Sequence, residues 1–81
     1  MAELYILYSE KINSYYVGSC NDLVERLRRH NAGHSKSTKK GIPWKIVYQK
    51  EFATKSEAMQ EEYRIKKQKS RRYIEKLIAG E

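Results

Sequence analysis

The chain has 81 residues, with 17 Lys and Arg against 10 Asp and Glu and a net charge of +7. That length limits it to one small core, with residues 1–81 read as a single domain, and no apolar run approaches the ~20 residues of a membrane helix. Cys20 stands alone, which excludes an internal disulfide and a cysteine-rich zinc site and points to the cytoplasm, while the charge attracts polyanions.

Leu4 to Ser9 is short and β-rich, Glu10 to Asn13 reads as a turn, and Ser14 to Cys20 is a second β-rich run. The two form a hairpin. Pairing Ser9 with Ser14 across a four-residue loop sets Leu7 opposite Tyr16 and Tyr5 opposite Gly18. Tyr5 and Tyr16 then project from one sheet face, and a slip of one residue would separate them. Asn21 or Asp22 caps a first helix that runs to about Asn31 and ends at Ala32-Gly33. Leu23, Val24 and Leu27 form its core stripe, Arg26 and His30 lie one turn apart at the edge of that stripe, and Glu25, Arg28 and Arg29 face solvent.

Residues 33–43 form a polar, basic loop closed by Gly41 and Pro43. Trp44 to Phe52 is a third strand, with Trp44, Ile46 and Tyr48 on one face. Thr54-Lys55-Ser56-Glu57 is a capping box for a second helix of roughly 55–68, and Ser70 caps a last helix carrying Tyr73, Ile74, Leu77 and Ile78. The order ββαβαα predicts an α+β domain, a small three-stranded antiparallel sheet flanked by helices.

The chemistry sits where polar residues break the apolar pattern. On the second helix Ala58, Met59 and Ile65 define the apolar sector, with Tyr63 at its edge; Glu62 falls inside that sector and Glu61 points outward. An inward carboxylate costs several kcal/mol unless it is paired or binds a cation, so Glu62 is either a metal ligand or half of an ion pair. Arg26, His30 and the two same-face tyrosines supply a guanidinium for phosphate charge, an imidazole for proton transfer and a phenol as base or orienter. Tyr8, Tyr15, Tyr48, Tyr63 and Tyr73 are assigned to packing, Cys20 to a small β-edge position, and His34 to a loop without a partner. No Walker A loop, paired CxxC or dinucleotide-binding turn occurs.

In chain order, Glu3-Leu4-Tyr5, Tyr16-Val17-Gly18, the Arg26-x-x-x-His30 pair and Glu62 resemble the motifs of the GIY-YIG nuclease family. The likeness spans about residues 3 to 78 and is closest to the short stand-alone branch, whose loop and third strand Thr38 and Gly41-Ile42-Pro43-Trp44 also resemble. It implies a Mg²⁺- or Mn²⁺-dependent endonuclease acting on DNA, in repair or recombination, with RNA left open as a substrate and no membrane partner. By the same resemblance its catalytic residues would be Tyr5, Tyr16, Arg26, His30 and Glu62, with Glu62 holding the metal. These five are expected to converge on one partly exposed concave surface. Lys36, Lys39, Lys40, Lys45, Lys66, Lys67, Lys69, Arg71 and Arg72 are expected contacts to the nucleic-acid backbone. Ser19 departs from the lysine of repair-type members. The alternative is a non-catalytic nucleic-acid-binding module on the same fold.

Overall fold

The computed structural model describes residues 1–80. Three strands, β1 (Ala2–Ser9), β2 (Ser14–Cys20) and β3 (Lys45–Phe52), form an antiparallel sheet in the order β2-β1-β3. Three helices follow the expected sequence: α1 (Leu23–Asn31), α2 (Lys55–Lys67) and α3 (Arg71–Ala79). The hairpin register is the one the turn length dictates, with Ser9 opposite Ser14, Leu7 opposite Tyr16 and Tyr5 opposite Gly18.

β1 is the central strand, and both its faces are covered. Leu4, Tyr5, Ile6 and Leu7 are all buried, so the run is apolar at every position rather than at alternate ones. Tyr5 and Leu7 pack with Cys20, Leu23 and Trp44 on the α1 side. Leu4 and Ile6 pack with Val17 and Ile65 on the other side, under α2 and α3. Each fully buried aliphatic side chain contributes about 1.5–3 kcal/mol.

The caps form as their chemistry requires. Asp22 accepts from the Glu25 amide, Thr54 and Glu57 complete a reciprocal capping box, and Ser70 accepts from the Tyr73 amide. Arg71 ties α3 to the hairpin turn, donating to the Asn13 carbonyl at 2.7 Å and to Asn13 Oδ1 at 2.6 Å. Its guanidinium also lies 4.8 Å from the Tyr15 ring centroid.

Four expectations about facing are overturned. Tyr48 does not share a face with Trp44 and Ile46. The β1–β3 ladder shifts register between Ile6 and Leu7, leaving Val47 as an extra residue, so Tyr48 packs in the α2/α3 core while Trp44 and Ile46 pack under α1. Val24 is 81% exposed, because α1 docks through Leu23, Leu27 and His30, one side chain per turn, and Val24 is rotated off that stripe. On α2 the inward stripe is Ala58, Glu61, Glu62 and Ile65. Met59 therefore turns outward, and Glu61, expected to face solvent, is only 16% exposed and pairs with Arg64. Tyr63 is 68% exposed and fills no core position.

Candidate active site

Tyr5, on the central strand, is enclosed. Its ring centroid lies 6.4 Å from that of Tyr16 and 6.2 Å from that of His30, and its hydroxyl lies 3.3 Å from His30 Nε2. Gly18, directly opposite, leaves the space that the Tyr5 hydroxyl occupies. Burial, aided by the neighbouring Tyr16 phenol, pushes the Tyr5 hydroxyl well above the usual phenol range, and Arg26 opposes this only in part. Tyr5 therefore keeps its proton at neutral pH and acts as a donor.

His30 receives that donor within a chain of hydrogen bonds. Thr38 Oγ1 lies 3.1 Å from His30 Nδ1 and itself donates to the Ser35 carbonyl at 3.4 Å. Thr38 thus accepts from Nδ1–H, and the free lone pair on Nε2 accepts from Tyr5. Burial, then the charges of Arg26 and Arg29, hold the His30 pKa below its ordinary value of 6.5. The imidazole is neutral in this network.

The sign of the pH dependence follows. The unfolded chain takes a proton on His30 near pH 6.5 while the folded chain resists it. His30 therefore contributes stability in full above about pH 6.5, and loses it as pH falls toward the depressed folded value. The melting temperature of the wild type should fall as pH drops below about 6.5, and that of His30→Gln should vary less over the same range. Equal slopes would show that His30 is not held neutral.

The basic loop is anchored by the same network. Trp44 Nε1 donates to the Thr38 carbonyl at 2.7 Å, and Asn31 holds the Trp44 backbone through its amide, accepting at 2.7 Å and donating at 3.1 Å. At the end of α1, Gly33 adopts φ +81°, and the His34 amide donates back to the Arg29 carbonyl at 3.2 Å. This return brings His34 to a cleft of about 250 Å³ that it lines together with Tyr16, Arg26, Arg29, His30 and Ser35. No carboxylate lines this cleft.

Arg29 and His34 are additions to the expected set. Arg26, Arg29 and His30 share one helical edge at i, i+3 and i+4, a spacing visible in the sequence. The Ala32-Gly33 stop is the signal that folds His34 back over them.

Glu62 lies elsewhere. α2 packs on the sheet face opposite α1, so Glu62 and Tyr5 occupy opposite layers and the five residues do not share one concave surface. The reason is the pleat: Ser19, next to Gly18, points to the α2 side, and its hydroxyl donates to Glu62 Oε1 at 2.6 Å. Lys66 donates to the other carboxylate oxygen at 2.6 Å, and its Nζ lies 5.9 Å from the Tyr16 ring centroid. Tyr16, on the open edge strand β2, has His30 at 4.8 Å on one side and Lys66 on the other. The arrangement straddles the sheet edge, with Tyr16 between the Arg26–His30 cleft and the Glu62 carboxylate. Tyr16 is half-buried and reachable, whereas Tyr5 is not.

The nine cationic residues expected at the nucleic-acid backbone are all exposed. Three already have intramolecular partners: Lys45 with Glu10, Lys66 with Glu62, and Arg71 with Glu75 and Asn13.

This topology, with two tyrosines on one hairpin, an Arg-x-x-x-His helix and a glutamate on the following long helix, defines a nuclease-type fold. A family model described as the GIY-YIG catalytic domain matches residues 1–75, and the chain belongs to the GIY-YIG family. It is similar to the UPF0213 protein YazA of Bacillus subtilis, 45% identical over 69 residues that cover 80% of this chain and 70% of that one. It is likewise similar to a UPF0213 protein of Bacillus pumilus, 46% identical over 68 residues that cover 79% and 69%. The solution NMR structure of the UPF0213 protein BH0048 from Bacillus halodurans superposes with a TM-score of 0.60 at 34% identity, covering 98% of this chain and 84% of that one. No helix of the described residues is long and apolar enough to cross a membrane.

Proposed function

We propose that the chain is a single-domain, divalent-metal-dependent endonuclease that hydrolyses DNA phosphodiester bonds at the β2 edge. The observation that carries this reading is the acid-free cleft of Tyr16, Arg26, Arg29 and His30, whose Tyr16 ring also lies 5.9 Å from the Lys66 ammonium that pairs with Glu62. Arg26 and Arg29 stabilise the charge that develops on the phosphate. Tyr16, the reachable tyrosine of the pair, orients the attacking water through its hydroxyl. His30 fixes Tyr5 and, through Tyr5, the floor beneath Gly18. A role in DNA repair or recombination fits this chemistry.

The donor set suits a cation held by one carboxylate. Among the described residues no cluster of three or more His, Cys, Asp or Glu forms a protein cage. Mg²⁺ is commonly held by one or two carboxylates with waters and substrate phosphate completing its shell, and Glu62 meets that need once Lys66 releases it. When bound, Mg²⁺ or Mn²⁺ supplies Lewis-acid neutralisation of the phosphate oxygens.

The test is cleavage of labelled duplex, branched and single-stranded DNA with Mg²⁺, with Mn²⁺ and with EDTA. Cutting of at least one shape, abolished by EDTA, is expected. Binding without cutting of any shape would establish the non-catalytic module instead.

Backbone contacts carry their own signature. Affinity measured in EDTA should fall steeply with salt and vary little with sequence. Lys39 and Lys40 are exposed, on the short helical turn Lys39–Gly41. Replacing both with Gln should reduce the slope of log affinity against log salt by about one unit per lost phosphate contact. An unchanged slope would assign them to the solvated surface.

A further inference from the structure

A second cleft, of about 420 Å³, opens on the other flank of Tyr16, between β2 and the α2–α3 junction. Its floor is apolar, made by Val17, Ile65 and Ile74, and its rim carries Lys66, Lys69 and Arg71. No carboxylate lines the cleft itself, but Lys66 and Arg71 are paired with Glu62 and Glu75 beside it, which leaves Lys69 as the rim cation without an ion-pair partner among the described residues. The Arg26–His30 cleft needs none of these residues other than Tyr16, which walls both.

We infer that this cleft holds one unpaired nucleotide next to the scissile phosphate, so that the favoured substrate is DNA with an unpaired segment at the cut. The inference rests on the nuclease reading above. A strand with a phosphate at Arg26 and Arg29 continues across Tyr16 into the second cleft, because that ring is the only wall the two clefts share. What it meets there matches a nucleotide and not a phosphate alone. Flat aromatic and aliphatic surface receives a base face, and Lys69 at the rim receives the backbone, joined by Lys66 once it leaves Glu62. The Arg71 guanidinium lies 4.8 Å from the Tyr15 ring centroid, which adds a second planar group beside the Tyr15–Tyr16 wall.

A base held in a duplex cannot enter such a cleft without leaving its stack. Extrusion is costly from a paired site and nearly free from an unpaired one, so the cleft discriminates by pairing state. The α2–α3 turn that forms the rim is pinned by Ser70 at the α3 cap and by Arg71 on Asn13, so the cleft is present before the strand arrives.

The test uses the full chain in EDTA with three labelled DNAs of one sequence: a blunt duplex, the duplex with a single-stranded tail, and the single strand. The tailed and single-stranded forms should bind about tenfold tighter than the blunt duplex, the scale of one or two stacked bases. Ser14→Trp fills the mouth of the cleft from a half-buried strand position, and should bring the three affinities within about threefold while leaving blunt-duplex affinity within about twofold. Lys69→Glu, on the exposed turn, tests the same rim should the Trp variant not fold. With 5-iodouracil placed singly along the tail, photocrosslinks should map to the Tyr15-Tyr16 peptide from one or two unpaired positions only. DNA bound with equal affinity in all three forms, with crosslinks confined to α1, would overturn the nucleotide cleft and leave the nuclease reading standing. No binding to any of the three would overturn both.

Discussion

Gly18→Ala is expected to lower the melting temperature by roughly 4–24 °C, from the ~1–3 kcal/mol that overpacking a core costs and the shift of about 4–8 °C per kcal/mol in a domain this small. A Cβ at residue 18 would stand 2.6 Å from the Tyr5 hydroxyl oxygen, 2.7 Å from Tyr5 Cζ and 3.2 Å from Tyr16 Cε1. Tyr5 has no easy escape. Its ring is packed with Leu7, Cys20, Leu23 and Trp44, and its hydroxyl is engaged by His30. Relief must come from tilting Tyr5 out of the His30 bond or pushing β2 away from β1, and either movement displaces Tyr16. Cleavage should therefore fall more than stability alone explains, even well below the melting temperature. Thermal denaturation with cleavage at low temperature checks both parts. A variant that melts and cuts like the wild type would show that the Tyr5–Gly18 contact does not set the position of Tyr16.

The fold was largely legible because its signals are local. Turn length fixed the register of β1 and β2, and Asp22, the Thr54–Glu57 box and Ser70 marked three helix starts through hydrogen bonds made within a few residues. The misread positions depend on what lies across the core. The extra residue at Val47 inverts the side-chain alternation of β3 and moves Tyr48 to the far face, yet no Gly or Pro in Lys45–Phe52 marks it. Helical periodicity gave the right stripes on α1 and α2 but left their centres uncertain by one residue, which turned Val24 and Met59 outward and Glu61 inward.

The site was legible as chemistry and less so as geometry. Family-like spacing picked out Tyr16, Arg26 and His30, which line one cleft, and Tyr5, which lies beneath it. The separation of Glu62 from Tyr5 depends on which sheet face each helix covers, and that is decided by packing between distant segments. Ser19, noted in the sequence only as a departure, proves to be a direct partner of Glu62. Thr38, noted as a resemblance, completes the His30 network.

Metal-dependent cleavage by Glu62→Gln, read beside its melting temperature, decides whether Glu62 is the carboxylate that holds the metal. Glutamine keeps the length of the side chain and still accepts from Ser19, but it loses the charge that a divalent cation requires. Lys66, the residue it would strand, is 50% exposed and can turn to water, so the lost ion pair should cost no more than about 1 kcal/mol. The site predicts a cleavage rate at least about 100-fold lower in saturating Mg²⁺ or Mn²⁺, the scale of ~3 kcal/mol for an essential electrostatic group. It also predicts a melting temperature within a few degrees of the wild type and DNA affinity in EDTA equal or slightly higher. Glu62→Gln protein that melts early and still cuts DNA at the wild-type rate would show that Glu62 is half of a structural salt bridge rather than the metal-holding carboxylate.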